Sequence, residues 1–107
     1  MMQSVIKLTV MYPNDDDCRF NFEYWTGSHF SLLHRELGDA LKSVQAERGL
    51  SGAAEGSQAM WVAIAHLFFD SVEAFQASFG PRAATIMGDI PNYTNVMPTV
   101  QISEVLA

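Results

Sequence analysis

Met60-Trp61-Val62-Ala63-Ile64-Ala65-His66-Leu67-Phe68-Phe69-Asp70 is the stretch on which the fold turns. One parity carries Trp61, Ala63, Ala65, Leu67 and Phe69; the other carries Met60, Val62, Ile64, His66 and Phe68. Side chains alternate across a sheet, so a strand written this way is apolar on both faces and both want cover. A chain of 107 residues supplies helices for one face only. The other face calls for something outside the chain, most economically a second copy of it. His66 is the single polar interruption and sits near the strand end, where a site can lie.

The length fits one domain, residues 1–107, and leaves no room for two. Hydrophobic residues make up 49% and charged residues 17%, the balance of a folded chain rather than a disordered one. A net charge of −6 argues against nucleic acid, whose binders present basic patches, and against an anionic membrane surface. No apolar run approaches the roughly 20 residues of a membrane span. Cys18 is the lone cysteine and cannot close an intramolecular disulfide. With no basic start and apolar run of a signal peptide, the expected compartment is the cytoplasm.

Working outward, Ser4 to Tyr12 alternates, with Ile6, Leu8, Val10 and Tyr12 on one face and Val5, Lys7, Thr9 and Met11 on the other. Pro13 and the acidic run Asp15, Asp16, Asp17 stop this strand in a solvated loop, without the ligand spacing of a calcium site. Asn21 is the expected cap of a helix reaching about Leu37, and Phe20 with Trp25 forms a hydrophobic staple. Its apolar stripe is Phe22, Trp25, His29, Leu32, Leu33 and Leu37. Gly27 weakens the helix locally, and Gly38-Asp39 ends it. Leu41 to Leu50 is a polar strand suited to a sheet edge. A Gly- and Ser-rich connection, 51–59, leads to the central strand. Asp70 or Ser71 caps a second helix with Val72, Phe75 and Phe79. Gly80-Pro81 breaks it before a helical piece with Ala84, Ile86 and Met87. Residues 89–95 are turn chemistry, and Val96 to Val105 is a last strand that Pro98 assigns to an edge.

The order is strand, helix, strand, strand, helix, strand. Short connections and right-handed crossovers make this an α+β, ferredoxin-like βαββαβ sandwich: a four-stranded antiparallel sheet with helices on one face. In that topology the first and third strands are central. They are the two most apolar strands here, and the polar second and Pro-bearing fourth fall at the edges.

Three stretches resemble the EthD family, named for a protein linked to ethyl tert-butyl ether degradation. They are Lys7-Leu8-Thr9-Val10-Met11-Tyr12-Pro13, then Tyr24-Trp25-Thr26-Gly27-Ser28-His29-Phe30-Ser31-Leu32, then Ala65 to Phe75. Asp89-Ile90-Pro91-Asn92-Tyr93-Thr94 and Gln101-Ile102-Ser103-Glu104 follow in order. The middle stretch is similar to the family's Tyr-x-x-x-x-His-x-Pro-Leu helix, with Ser31 where Pro is common. The resemblance implies a dimeric α+β barrel, in which two sandwiches join through their open sheet faces. This is the homodimer that the central strand calls for on independent grounds.

Such a barrel offers a cleft between sheet and helices or at its rim. His29 lies on the helix stripe with Trp25 and Leu32, and a neutral imidazole in an apolar pocket is a usable general base. A core histidine satisfied by a backbone carbonyl is the plainer reading. His66, sharing its strand face with Ile64 and Phe68, is a second candidate titrating group or an interface residue. His34, beside Arg35 and Glu36, is expected at the surface. Tyr24 and Tyr12 could orient a carbonyl or hydroxyl, with Trp25, Ile64 and Phe68 completing an apolar pocket. Two histidines do not close a metal site, so no metal and no cofactor are expected. Two functions stand. One is a cofactor-free enzyme moving protons or oxidising a small organic molecule, in the catabolism of ethers, lactones or polyketide-like compounds. The other is a non-catalytic accessory or ligand-binding protein of a cytochrome P450 degradation system, as the resemblance allows.

Overall fold

The computed structural model describes residues 5–107, so Ser4 lies outside the described residues. Four strands, β1 (Val5–Pro13), β2 (Ser43–Arg48), β3 (Trp61–Phe69) and β4 (Thr99–Val105), form one sheet in the order β2-β3-β1-β4. Every neighbouring pair is antiparallel. The apolar strands are central and the polar ones are edges, the ferredoxin-like α+β arrangement that the sequence pattern predicts.

The register puts Ile6, Leu8, Val10 and Tyr12 opposite Phe69, Leu67, Ala65 and Ala63. All of these except Val10 are buried, and they form the sheet side of the core. Along β3, from Val62 onward, half-buried residues alternate with buried ones, and Trp61 at the strand start is half-buried as well. The half-buried set, Val62, Ile64, His66 and Phe68, shares the opposite face with Lys7, Thr9, Met11, Gln45 and Glu47. The helices of the described residues pack on the other side.

The first helical run is α1 (Phe22–Tyr24), a π-helical turn (Trp25–His29) and α2 (Phe30–Leu37). Asn21 caps it: its side-chain oxygen accepts from the Tyr24 N–H at 3.0 Å. The uninterrupted α-helix expected from the sequence is widened where Thr26, Gly27 and Ser28 are small and exposed. The Thr26 hydroxyl donates to the Phe22 carbonyl at 2.9 Å, a bond that competes with the regular ladder. Trp25, His29, Leu32, Leu33 and Leu37 are all buried. Gly38 then ends the run at φ 59°, which only glycine adopts freely.

Three boundaries differ from expectation. β2 is shorter than Leu41–Leu50, because Leu41 turns into the core and Leu50 points into solvent. α3 (Val72–Phe79) is capped by Ser71, whose hydroxyl accepts from the Ala74 N–H at 3.0 Å, while Asp70 faces Lys42 at 3.5 Å. β4 starts at Thr99 and not at Val96, because Val96 is buried in the core and Pro98 lacks a ladder donor. A 3₁₀ turn (Gly80–Arg82) joins α3 to α4 (Ala83–Gly88), which delivers Ile86 to the core and Asp89 to the loop beyond.

Candidate functional site

The loop 89–95 and the segment before α1 are bolted together. The Asn21 N–H donates to the Tyr93 carbonyl at 2.8 Å, and the Thr94 hydroxyl donates to the Arg19 carbonyl at 2.7 Å. The Arg19 N–H and the Asp17 carbonyl are both held by the Asn95 side chain. The bolt sets Asp89 and Tyr93 against the first helix, where His29 faces inward at 4% exposure.

A continuous hydrogen-bonded chain results. Asp89 Oδ2 meets His29 Nδ1 at 2.9 Å. His29 Nε2 meets the Tyr93 hydroxyl at a long 3.4 Å, and that hydroxyl meets the Tyr12 hydroxyl at 2.6 Å. Asp89 also accepts from the Tyr24 hydroxyl at 2.7 Å and from Asn92 Nδ2 at 2.9 Å, both on Oδ1. Tyr24 stacks on Tyr93 with ring centroids 6.1 Å apart.

The proton directions follow from the carboxylate. Burial opposes ionisation of Asp89, but the donors Asn92, His29 and Tyr24 together hold its carboxyl below the usual range. An ionised Asp89 accepts only, so Nδ1 of His29 carries the proton and Nε2 is bare. Tyr93 therefore donates to Nε2, and Tyr12 donates to Tyr93. Burial also pushes His29 below its ordinary value, against the opposing pull of Asp89, so the imidazole is neutral at pH 7. Both Tyr93 and Tyr12 are raised, chiefly by burial, and stay protonated.

Tyr12, Trp25 and His29 line a cavity of about 30 Å³ between the sheet and the helices, walled otherwise by apolar groups including Leu8, Leu67, Phe79 and Met87. Val100 of β4, half exposed, is part of the same wall and brings it to the surface. The Trp25 indole Nε1 is buried and has no hydrogen-bond partner.

The structure thus brings His29, Tyr12 and Trp25 together and puts Tyr24 one hydrogen bond behind them on Asp89. It places His66, Ile64 and Phe68 on the opposite face of the sheet, away from His29. His66 Nε2 lies 3.2 Å from Glu47 Oε2, and its Nδ1 is buried without a partner. Asp89, Asn92 and Tyr93 were not singled out by sequence reasoning as site residues. Read as turn chemistry, the segment 89–95 concealed them. A signal was present in Tyr93, a large aromatic residue in a turn otherwise made of Asp, Pro, Asn and Thr.

Fold and site together define a small ferredoxin-like sandwich with a buried acid–imidazole–phenol chain opening on an apolar cavity. No family model and no curated protein matches the chain. Among solved structures, an EthD-like protein from Ralstonia eutropha JMP134 is 39% identical, with a TM-score of 0.91, covering 99% of this chain and 96% of that one. The chain belongs to the EthD family. An ethyl tert-butyl ether (EthD) family protein from Bacillus halodurans C-125 matches at 16% identity and TM-score 0.64, covering 95% of this chain and 99% of that one. A dimeric protein of unknown function with a ferredoxin-like fold from Bacteroides fragilis NCTC 9343 matches at 10% identity and TM-score 0.56, covering 97% and 98%. The last two carry the fold alone.

Proposed function

We propose that the protein binds a small apolar organic molecule in the cavity under the first helix and moves a proton on it without a cofactor. His29 is the terminal base and Asp89 positions it. The observation that carries this reading is the Asp89–His29–Tyr93–Tyr12 chain ending at an apolar wall. A proton taken at Tyr12 shifts along the phenols to Nε2. Both tyrosines stay neutral, and the imidazolium faces a carboxylate fixed by two further donors. Burial disfavours the imidazolium, so the proton is held briefly and returned, as proton transfer at an activated carbon requires. Ether, lactone and polyketide-like compounds remain the substrate classes proposed, in a cytoplasmic setting.

The working unit in this reading is a homodimer. Val62, Ile64 and Phe68 form an apolar strip on the sheet face away from the helices, and a second copy is its natural cover. The Bacteroides fragilis protein of the same fold is described as dimeric. The alternative, a non-catalytic accessory of a cytochrome P450 system, is favoured by the size of the cavity. At about 30 Å³ it is far below the roughly 300 Å³ of a preformed ligand pocket, so side chains must yield before anything larger than water enters.

Thermal-shift screening of lactones, phenolic polyketides and branched ethers tests the binding half, since a ligand of the native state raises the melting point by mass action. Solvent-deuterium incorporation into the bound ligand tests the chemistry. The native protein is expected to catalyse it and His29→Gln is not. A bound ligand that exchanges no proton in either protein establishes the accessory reading instead.

A further inference from the structure

The walls of the cavity are not held equally. The sheet side is the paired register of β1 and β3. The first helical run is capped by Asn21 and tied to the loop 89–95 through the Tyr93 carbonyl and Thr94. Phe79, Ile86 and Met87 complete the wall from the arm 72–88, which is α3, the 3₁₀ turn and α4. α2 and α3 are both eight residues long and differ in what they bury. α2 buries Leu32, Leu33 and Leu37, whereas no residue of α3 is fully buried and Val72 is 36% exposed. The grip of α3 on the sheet is aromatic: Phe75 meets Phe69 edge to face with centroids 5.3 Å apart, and Phe79 stacks on Phe75 at 5.3 Å. The Ser71 cap and the Ser78 hydroxyl, which donates to the Ala74 carbonyl at 2.7 Å, brace α3 from within rather than against its neighbours. An ion contact to α2, Arg82 to Glu36, spans 3.9 Å with the arginine half exposed, and such a contact is worth little.

The arm has glycine at its elbow and at its far end. Gly80 joins α3 to the 3₁₀ turn, and Gly88 ends α4 beside Asp89, which His29, Tyr24 and Asn92 hold in place. At neither glycine would a Cβ meet anything within 4 Å, and neither has a positive φ. The closed shape therefore requires neither; what glycine adds at these two points is freedom to leave that shape. A cavity of about 30 Å³ is too small for an organic guest, since one that takes benzene is about 150 Å³. A wall must give way, and the arm is the wall with least holding it. We propose that the arm 72–88 opens as a lid, bending at Gly80 and pivoting at Gly88, and that guests enter the cavity beneath it while the sheet, the first helical run and Asp89 stay fixed. The inference rests on the cavity being the ligand site, as read above, and adds how that site is reached.

Amide hydrogen exchange in the full chain tests the lid without a guest. The last-turn amides of α3, Gln76 to Gly80, are expected to be about a hundredfold less protected than those of α2, His34 to Gly38. Equal protection of the two helices overturns the proposal. Toluene then tests the route, with its entry and release rates read from NMR exchange line shapes. Gly80→Ala combined with Gly88→Ala takes freedom from both joints without a clash. It should slow entry and release together by about tenfold and leave Kd unchanged. Unchanged rates in the double variant overturn the lid as the way in. Toluene that fails to bind while α3 still exchanges quickly removes the ligand-site reading, and with it the role given to the opening.

Discussion

Asp89→Asn removes one charge and should reverse a chain of four residues. The native carboxylate takes Tyr24 and Asn92 on Oδ1 at 2.7 and 2.9 Å, and His29 on Oδ2 at 2.9 Å. An asparagine keeps its oxygen where two donors point, at Oδ1, and turns its amide nitrogen to His29. That nitrogen donates, so His29 must accept at Nδ1 and carry its proton on Nε2. Nε2–H then donates to Tyr93, Tyr93 donates to Tyr12, and Tyr12 presents a proton to the cavity. Two surviving bonds lose their charge assistance and the third is rebuilt as neutral, at about 1 kcal/mol each. Relief of a partly buried charge offsets some of this, which leaves about 2 kcal/mol at pH 7. For a domain of this size that lowers Tm by about 8 °C. Because the folded carboxyl of Asp89 lies below its ordinary 3.8, the native advantage is complete above that value and is lost as pH falls through the folded one. The two melting curves should therefore converge at strongly acid pH. The ¹⁵N shifts of the His29 ring report the tautomer directly, Nδ1–H in the native protein and Nε2–H in the variant. A variant that retains the Nδ1–H tautomer, or a native protein that lacks it, refutes the reasoning.

Other outcomes follow from the same coordinates. Burial holds folded His29 below its ordinary 6.5, so below that pH the unfolded chain binds the proton more readily. Stability should therefore fall as pH drops from 6.5 toward the folded value, and His29→Gln should flatten that limb of a Tm-against-pH curve. Met87→Ala, at the cavity wall, should cost about 2 kcal/mol in denaturant melts and strengthen binding of toluene-sized probes, since the void left stays partly open. Ile64→Glu puts a carboxylate opposite Glu47 on the uncovered face. Light scattering should report monomers or aggregates, and an unchanged dimer would remove that face from the interface.

The sheet was legible because its signal is local. The alternation in β1 and β3, and the polarity of β2, fix face and strand order without knowledge of distant contacts. Element ends were less so. Leu41 and Val96 look like strand residues and are buried in the core instead, a choice made by packing and not by propensity. The site was half legible. His29, Tyr12 and Trp25 declare themselves by lying on inward-facing stripes. Asp89 and Tyr93 lie 60 and 64 positions from His29, on a segment whose composition says only that the chain turns. What brings them in is the bolt between 17–21 and 93–95, made by Asn95 and Thr94, and no periodicity encodes it. The π-helical turn was hidden for a related reason. Gly27 warns of weakness, but the Thr26 bond to Phe22 that competes with the ladder depends on a rotamer.

The two histidines show why residue type alone does not define a site. Both sit on apolar stripes, and both have a carboxylate within reach, Asp89 at 2.9 Å and Glu47 at 3.2 Å. Their surroundings divide them. Glu47 is a half-exposed side chain on an edge strand, where solvent screens the pair and the geometry is loosely held. Asp89 is nearly enclosed and is held by Tyr24 and Asn92 as well, so it can impose one tautomer on His29. That tautomer passes through two phenols before it reaches the cavity. In the proposed reading Asp89 thus sets the proton directions at the cavity without lining it, and a screen of cavity-lining variants alone would miss it.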